Sequence, residues 1–150
     1  MRCGIYSTFV EIVTHLLVIP LKFIHYFHLP RTAPIIDIGG GDSTLADHLL
    51  AEGFKDLTVI DISFRSIEKA KMRLRNQAGK INWLISDVTS FRPERTYQLW
   101  HDRATFHFLI TEKQISKYLK AAYLSTDPQG YLIMGTFSTN GPDKCSGLEV

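Results

Sequence analysis

The stretch IIDIGGGDSTLADHLL, residues 35–50, places a short apolar run directly before three consecutive glycines and an amphipathic segment after them. Because glycine has no Cβ, the backbone at Gly39, Gly40 and Gly41 can turn sharply and approach a ligand closely. The free N–H groups at the start of the following helix would point at that ligand. The stretch predicts a strand, a ligand-binding loop and a helix; a tight turn that holds no ligand is the alternative.

Four more apolar runs along the chain have the same character as the one before the glycines. They are β-branched or aromatic with little polar alternation, which is typical of strands covered on both faces. The five predicted strands are residues 34–38, 57–61, 81–86, 97–102 and 131–137. Because segments of helical period separate them, the sequence predicts a doubly wound α/β domain with a mostly parallel sheet.

The segments between the strands carry recognisable helix signals. The first helix has Leu45 and Leu49 on one face and ends at Gly53; the second begins after the N-cap Ser63 and ends near Gly79. The predicted buried face of the second helix is Ile67, Ala70 and Leu74.

The third helix opens with a capping box, Thr111 with Gln114 three residues later. Residues 127–130, DPQG, predict a turn into the fifth strand. The predicted inner face of this helix is Ile115, Tyr118, Leu119 and Ala122.

The chain of 150 residues has the size of one domain, and we divide it into a helical segment, residues 1–30, and an α/β domain, residues 31–150. Pro20 suits the first turn of a short helix over residues 20–29. That helix would pack Phe23, Ile24 and Phe27 against the sheet, whereas residues 1–19 carry no clear prediction.

The composition of the chain argues against three kinds of partner: nucleic acids, metal ions and membranes. Lys and Arg (17) nearly balance Asp and Glu (15), which argues against a nucleic-acid binder. Cys3 and Cys145 have no metal-ligand spacing, so we expect no metal and a reducing, cytoplasmic location. His15 and Lys22 interrupt the N-terminal apolar run before it could span a bilayer, so we expect no membrane association.

Two more carboxylates end successive predicted strands. Asp61 ends the second strand 22 residues after Gly39, close to the spacing expected for an acid that binds ribose hydroxyls. Asp87 ends the third strand, where it would lie further along the same edge of the sheet and accept a hydrogen bond from an adenine amine. The sequence therefore predicts an adenosine ligand along this edge.

The charges near the glycines favour one kind of adenosine ligand. Asp37 stands two residues before the first glycine and Asp42 directly after the last. A dinucleotide pyrophosphate would be repelled there, whereas S-adenosylmethionine brings a cationic amine and a cationic sulfonium. An NAD-dependent oxidoreductase is the alternative.

The motifs DIGGGDS, Asp61 and SDV resemble those of the class I S-adenosylmethionine-dependent methyltransferases, and the resemblance runs from about residue 33 to 137. It is closest to a bacterial branch, and it implies a Rossmann-like methyltransferase fold and methylation with S-adenosylmethionine as cofactor. The implied cofactor-binding residues are Asp37, Gly39, Gly40, Gly41, Ser43, Asp61, Ile62, Asp87 and Val88.

The same resemblance assigns individual roles. Asp37, Gly39 and Gly41 would shape the methionine pocket, Asp61 would hold the ribose, and Asp87 with the Val88 backbone would frame the adenine. Ser43 takes the place of the third glycine of the family's first motif. The family's sheet has seven strands and five are predicted here, so we expect the last two strands to be absent and the domain to be truncated at its C-terminal end.

The fourth strand lies beside the first, so residues 100–103, WHDR, should face the transferred methyl group. His101 or Asp102 would act as a catalytic base if the acceptor arrives protonated. Alternatively, both residues bond to neighbouring loops and orient Arg103. His107 is expected to pack against the sheet.

The methyl acceptor, a small molecule or a protein, is not predicted, and neither is the choice between monomer and dimer. Besides the oxidoreductase, a non-catalytic module that binds the cofactor without an acceptor site is the remaining alternative.

Overall fold

The computed structural model describes residues 18–103, 105–136, 144–145 and 148–149. Within these ranges the α-helices are α1 (Val18–Tyr26), α2 (Leu45–Ala51), α3 (Phe64–Leu74) and α4 (Glu112–Ser125). The strands are β1 (Pro34–Ile38), β2 (Asp56–Asp61), β3 (Ile81–Ile85), β4 (Tyr97–Asp102), β5 (Thr126–Met134), β6 (Lys144–Cys145) and β7 (Leu148–Glu149). Short 3-10 helices cover Arg75–Lys80 and Phe106–Phe108.

Five strands form one sheet in the order β3-β2-β1-β4-β5, and every neighbouring pair is parallel. The chain moves outward in one direction from β1 to β3 and then returns to the other side of β1 with β4. This reversal leaves a crevice at the carboxyl ends of the strands, where such sheets bind ligands. The predicted doubly wound α/β fold is confirmed. The β6–β7 pair is antiparallel and separate.

The sheet has an apolar core on each face. Ile35 and Leu99 belong to a cluster with residues of α1 and α2, and Ile36, Ile38 and Trp100 belong to a second cluster with residues of α4. Because successive strand residues point to opposite faces, odd-numbered residues of β1 and β4 face α1 and α2, except Tyr97 at the bulge, which belongs to the second cluster. Even-numbered residues of the same two strands face α4.

The predicted helix starts are confirmed. The Ser63 side chain accepts a hydrogen bond from the Ser66 N–H, and Thr111 and Gln114 form the reciprocal capping box. The predicted end of the second helix near Gly79 is wrong, because α3 stops at Leu74 and continues as the 3-10 helix.

The predicted inner face of α4 is wrong at one position. Leu119 is 48% exposed, whereas Tyr118, Ala121, Ala122 and Ser125 are buried. Those four residues follow the i, i+3, i+4, i+7 pattern of one helical stripe, and Leu119 lies outside that stripe.

Residues 127–130, predicted as a turn before the fifth strand, lie within β5 as a bulge. Tyr97 pairs with Thr126 and Leu99 with Tyr131, so four residues of β5 oppose Gln98 alone. The Gln129 N–H donates to Asp127 Oδ1 at 3.0 Å, which is the side-chain to backbone bond of an Asx turn. The turn chemistry is present, but it interrupts the strand instead of preceding it.

Helix α1 packs on the same face of the sheet as α2. It spans Val18–Tyr26, so it begins before Pro20 and ends before the predicted residue 29. Ile24 is buried in the core, and the Phe27 ring stacks on Tyr131 with centroids 3.9 Å apart. None of the helices in the described ranges combines the length and apolar character needed to cross a membrane. Phe137, the predicted end of the fifth strand, and residues 1–17 lie outside the described residues.

Candidate cofactor site

A cavity of about 210 Å³ opens at the carboxyl ends of β1, β2 and β3, on the α4 side of the sheet. It is smaller than the roughly 300–1,000 Å³ that encloses a whole drug-sized ligand, so it matches one part of an elongated ligand. The residues that line it are Ile38, Gly39, Ile60, Asp61, Ile62, Ser86, Asp87, Val88, Thr89, Thr105, Phe108, Leu109 and Gln114.

Of the three consecutive glycines, Gly39 lines the cavity, whereas Gly40 and Gly41, also predicted to bind the cofactor, lie in the same loop outside its lining. Gly39 has φ +67°, a left-handed conformation that favours glycine, and a Cβ there would overlap the Thr105 hydroxyl. A Cβ on Gly41 would lie 2.8 Å from Asp61 Oδ2. The loop therefore requires bare backbone on both of these sides, as the sequence suggested.

The Asp61 carboxylate stands at the end of β2 beside this loop. Its Oδ2 accepts from the Gly41 N–H at 3.0 Å and its Oδ1 from the Ser63 N–H at 2.7 Å. A carboxylate has about four acceptor sites, so two remain for hydroxyl groups of a ligand. The backbone thus fixes the orientation of Asp61 before any ligand binds.

The outer wall is formed by the residues that follow β3. Asp87 is exposed and its Oδ1 accepts from the Thr89 N–H at 2.7 Å, while Val88 is buried. Ile62, 73% exposed, lines the cavity between this wall and Asp61. The apolar side chains of Ile62 and Val88 lie between the Asp61 and Asp87 carboxylates, an arrangement that can bind a flat, partly polar ring.

Asp37 and His101 lie on the opposite face of the sheet from the cavity. Their side chains are only 5% and 3% exposed, and His101 Nδ1 lies 2.6 Å from Asp37 Oδ1. Neither residue lines the cavity. Asp37 Oδ2 and His101 Nε2 are buried and have no hydrogen-bond partner among the described residues.

Asp42 and Ser43 lie where the loop enters α2. The exposed Asp42 carboxylate pairs with Lys69 at 2.9 Å, and the Ser43 hydroxyl accepts from the Leu45 N–H at 3.1 Å. Neither residue lines the cavity, so the carboxylates in its wall are Asp61 and Asp87.

Asp102 points into the core on the α4 side and is fully buried. Tyr118 donates its hydroxyl proton to Asp102 Oδ2 at 2.6 Å and accepts from the Trp100 indole N–H at 3.0 Å. Burial, followed by the nearby Asp102 charge, raises the pKa of Tyr118 well above its usual value. This buried network ties the end of β4 to α4.

The cavity residues that the sequence did not assign to the site are Ile38, Ile60, Ser86, Thr89, Thr105, Phe108, Leu109 and Gln114. Thr105 follows the fourth strand, a position the strand-end rule would have indicated. Gln114 was assigned only to the capping box, and it serves both the cap and the cavity wall. His107 is half-buried in the 3-10 helix beside these residues, and burial lowers its pKa.

The site fits an adenosine ligand better than a metal ion. The bare backbone of Gly39, the fixed carboxylate of Asp61 and an apolar wall before Asp87 all line the cavity. In the part of the chain that is described, no three His, Cys, Asp or Glu side chains are grouped to hold a metal.

Comparison with known proteins adds an independent line of support. The family model described as a methyltransferase domain matches residues 35–130. The malonyl-[acyl-carrier protein] O-methyltransferase of Anoxybacillus flavithermus is 35% identical over 113 residues, which cover 73% of this chain and 40% of that protein. The mouse eEF1A lysine and N-terminal methyltransferase is 26% identical over 110 residues, covering 73% of this chain and 14% of that protein.

A solved structure has the same fold. The S-adenosylmethionine-dependent methyltransferase from Clostridium acetobutylicum superposes with a TM-score of 0.66 at 20% identity, covering 77% of this chain and 46% of the other. The chain therefore spans less than half the length of these three proteins.

Proposed function

This chain belongs to the methyltransferase-domain family, whose class I fold it shares, and from that premise we propose that it binds S-adenosylmethionine and transfers the methyl group to an acceptor. The observation that carries the proposal is the position of Asp61. Its carboxylate lies in the cavity wall, held by two backbone N–H groups beside a glycine loop that has no room for a side chain.

Different residues around the cavity would bind different parts of the cofactor. Asp61 would accept from the ribose hydroxyls, Asp87 from the adenine amine, and Ile62 with Val88 would contact the adenine ring. The glycine loop would hold the methionine part, because its bare backbone borders the cavity at Gly39. The cavity volume suits the adenosine part of the cofactor, with the remainder lying along the loop.

The chemistry that S-adenosylmethionine supplies is a methyl group on a positively charged sulfur, open to in-line displacement. The chain would contribute mainly alignment of the reacting groups, which is worth about 7–11 kcal/mol when both are well held. His101 and Asp102 are almost completely buried and already bonded to neighbouring residues. We therefore assign neither of them direct contact with the acceptor.

We expect S-adenosylhomocysteine, the demethylated product, to stabilise the folded chain. A ligand at one hundred times its Kd that binds only the native state adds about 2.7 kcal/mol to the free energy of unfolding. The measurement is the melting temperature with and without S-adenosylhomocysteine, with NADH as the matched comparison. No shift with S-adenosylhomocysteine at millimolar concentration, or a shift with NADH alone, would contradict the proposal.

Replacing Asp61 with alanine should weaken S-adenosylhomocysteine binding by about 1–3 kcal/mol, because charge-assisted hydrogen bonds to the ribose are lost. Isothermal titration measures the change in Kd. Asp56→Ala at the other end of β2 is the control, since that carboxylate pairs with Arg95 away from the cavity. Wild-type affinity in the Asp61 variant would rule out the ribose assignment.

The similar proteins are named for different acceptors: malonyl-[acyl-carrier protein] for one, and a lysine and the N-terminus of eEF1A for the other. Incubation with methyl-labelled cofactor, once with small carboxylic acids and amines and once with protein extract, separates the two acceptor classes. Binding without any labelled product would favour a non-catalytic module.

A further inference from the structure

The buried Asp37–His101 pair is the feature that the proposed function leaves without a role. Both residues are odd-numbered positions of the central strands, so their side chains point toward α1 and α2, away from the cavity. His101 has no route to a bound cofactor or acceptor on the cavity side. Any effect it has on the site must pass through Asp37.

Asp37 touches the glycine loop directly. A Cβ built on Gly40 would overlap Asp37 Oδ2 and would lie 2.6 Å from Asp37 Cγ, so the bare α-carbon of Gly40 rests against the carboxylate. The other oxygen, Oδ1, accepts the hydrogen bond from His101 Nδ1 at 2.6 Å. The carboxylate is therefore held between the imidazole of β4 and the loop that borders the cavity.

The hydrogen bond between His101 and the buried Asp37 carboxylate restricts the movement of Asp37. A buried carboxylate is costly unless it is paired and hydrogen-bonded, and among the described residues only His101 forms a hydrogen bond with the Asp37 carboxylate. Without that donor, Asp37 would rotate toward water or another donor, because an unsatisfied buried charge costs more than a rotamer change. Either movement removes the surface against which Gly40 rests.

We propose that His101 is a positioning residue: its Nδ1–H fixes the Asp37 carboxylate under Gly40 and thereby holds the glycine loop in the shape that receives S-adenosylmethionine. The inference rests on the proposed cofactor. It differs from the role of a catalytic base, because the expected effect is on cofactor affinity and not on removal of a proton from the acceptor.

The test compares two substitutions of His101 by titration with S-adenosylhomocysteine. Asparagine places an N–H near the position of Nδ1, whereas leucine fills similar space without a donor. We expect His101→Leu to raise the Kd about tenfold or more and His101→Asn to stay within about threefold of wild type. His48→Leu on α2 is the control, because His48 is an exposed histidine and does not line the cavity.

A double-mutant cycle shows whether the effect passes through Asp37. In an Asp37→Ala background, His101→Leu should change the Kd by less than about twofold, because the carboxylate it positions is gone. Melting temperatures of all variants separate lost folding from lost affinity.

Three outcomes would overturn the positioning role: an unchanged Kd in His101→Leu, equal losses in the leucine and asparagine variants, or additive losses in the cycle. An unchanged Kd in His101→Leu is also what a catalytic base predicts. Failure of the wild-type chain to bind S-adenosylhomocysteine would instead refute the proposed function, and the inference with it.

Discussion

Replacing Tyr118 with phenylalanine is expected to lower the free energy of unfolding by about 3 kcal/mol or more, because it removes two buried hydrogen bonds at once. Asp102 Oδ2 loses its hydroxyl donor and the Trp100 indole N–H loses its acceptor. Each buried group that loses its partner costs about 1–3 kcal/mol, and a charged group costs more. Urea denaturation at neutral pH measures the difference.

Tyr123→Phe is the matched control, since Tyr123 lies on the same helix and is 74% exposed. We expect that variant to unfold within about 0.5 kcal/mol of wild type. Equal stability of the Tyr118 and Tyr123 variants would contradict the buried network.

The raised pKa of Tyr118 adds a pH dependence with a definite sign. Above pH 10, roughly the usual tyrosine pKa, the unfolded chain releases the hydroxyl proton while the folded chain retains it. The unfolded state is then favoured, so stability falls as the pH rises from about 10 toward the folded-state pKa. The Tyr118→Phe variant should lose this part of the alkaline decline.

Gly40→Ala is expected to lower the free energy of unfolding by about 3 kcal/mol and to abolish measurable binding of S-adenosylhomocysteine. The new methyl group would occupy the space of the Asp37 carboxylate, which cannot withdraw easily because it is bonded to His101. Either the loop moves into the cavity or the Asp37–His101 bond breaks. Thermal unfolding and isothermal titration report the two effects separately.

Gly79→Ala is the control for the glycine loop, because a Cβ at Gly79 meets no atom within 4 Å. That variant should retain wild-type affinity. A Gly40→Ala chain that also binds normally would show that the loop tolerates a side chain, and the close contact with Asp37 would lose its functional meaning.

The sequence predicted the sheet well because a parallel sheet between helices needs continuous apolar runs, which are visible in one dimension. The runs at 34–38 and 97–102 match β1 and β4 to the residue. Features that depend on contacts between distant segments were less predictable. The bulge in β5 is defined by pairing with β4, and the exposure of Leu119 is set by where α4 lies against the sheet.

In the candidate site, too, features set by nearby residues were predictable, whereas those set by contacts between distant segments were not. The glycine loop and Asp61 were found from spacing alone, and the structure brings them together at the cavity. The sequence placed Asp42 beside the ligand, whereas pairing with Lys69 from α3 holds its carboxylate at the surface. Strand alternation already implied that His101 and Asp102 face opposite sides of the sheet, so they could not both serve one pocket.

The central position of β1 sets the order in which this domain can fold. On one side β1 pairs with the next strand along the chain, but on the other it pairs with β4, and the bonded Asp37 and His101 are 64 residues apart. Bringing these two residues together costs conformational entropy, and this cost precedes the stabilising contacts between β1 and β4. Folding is slower for that reason. We expect the β1–β2 half to form early during synthesis, with the glycine loop reaching its final shape only after β4 has emerged and docked.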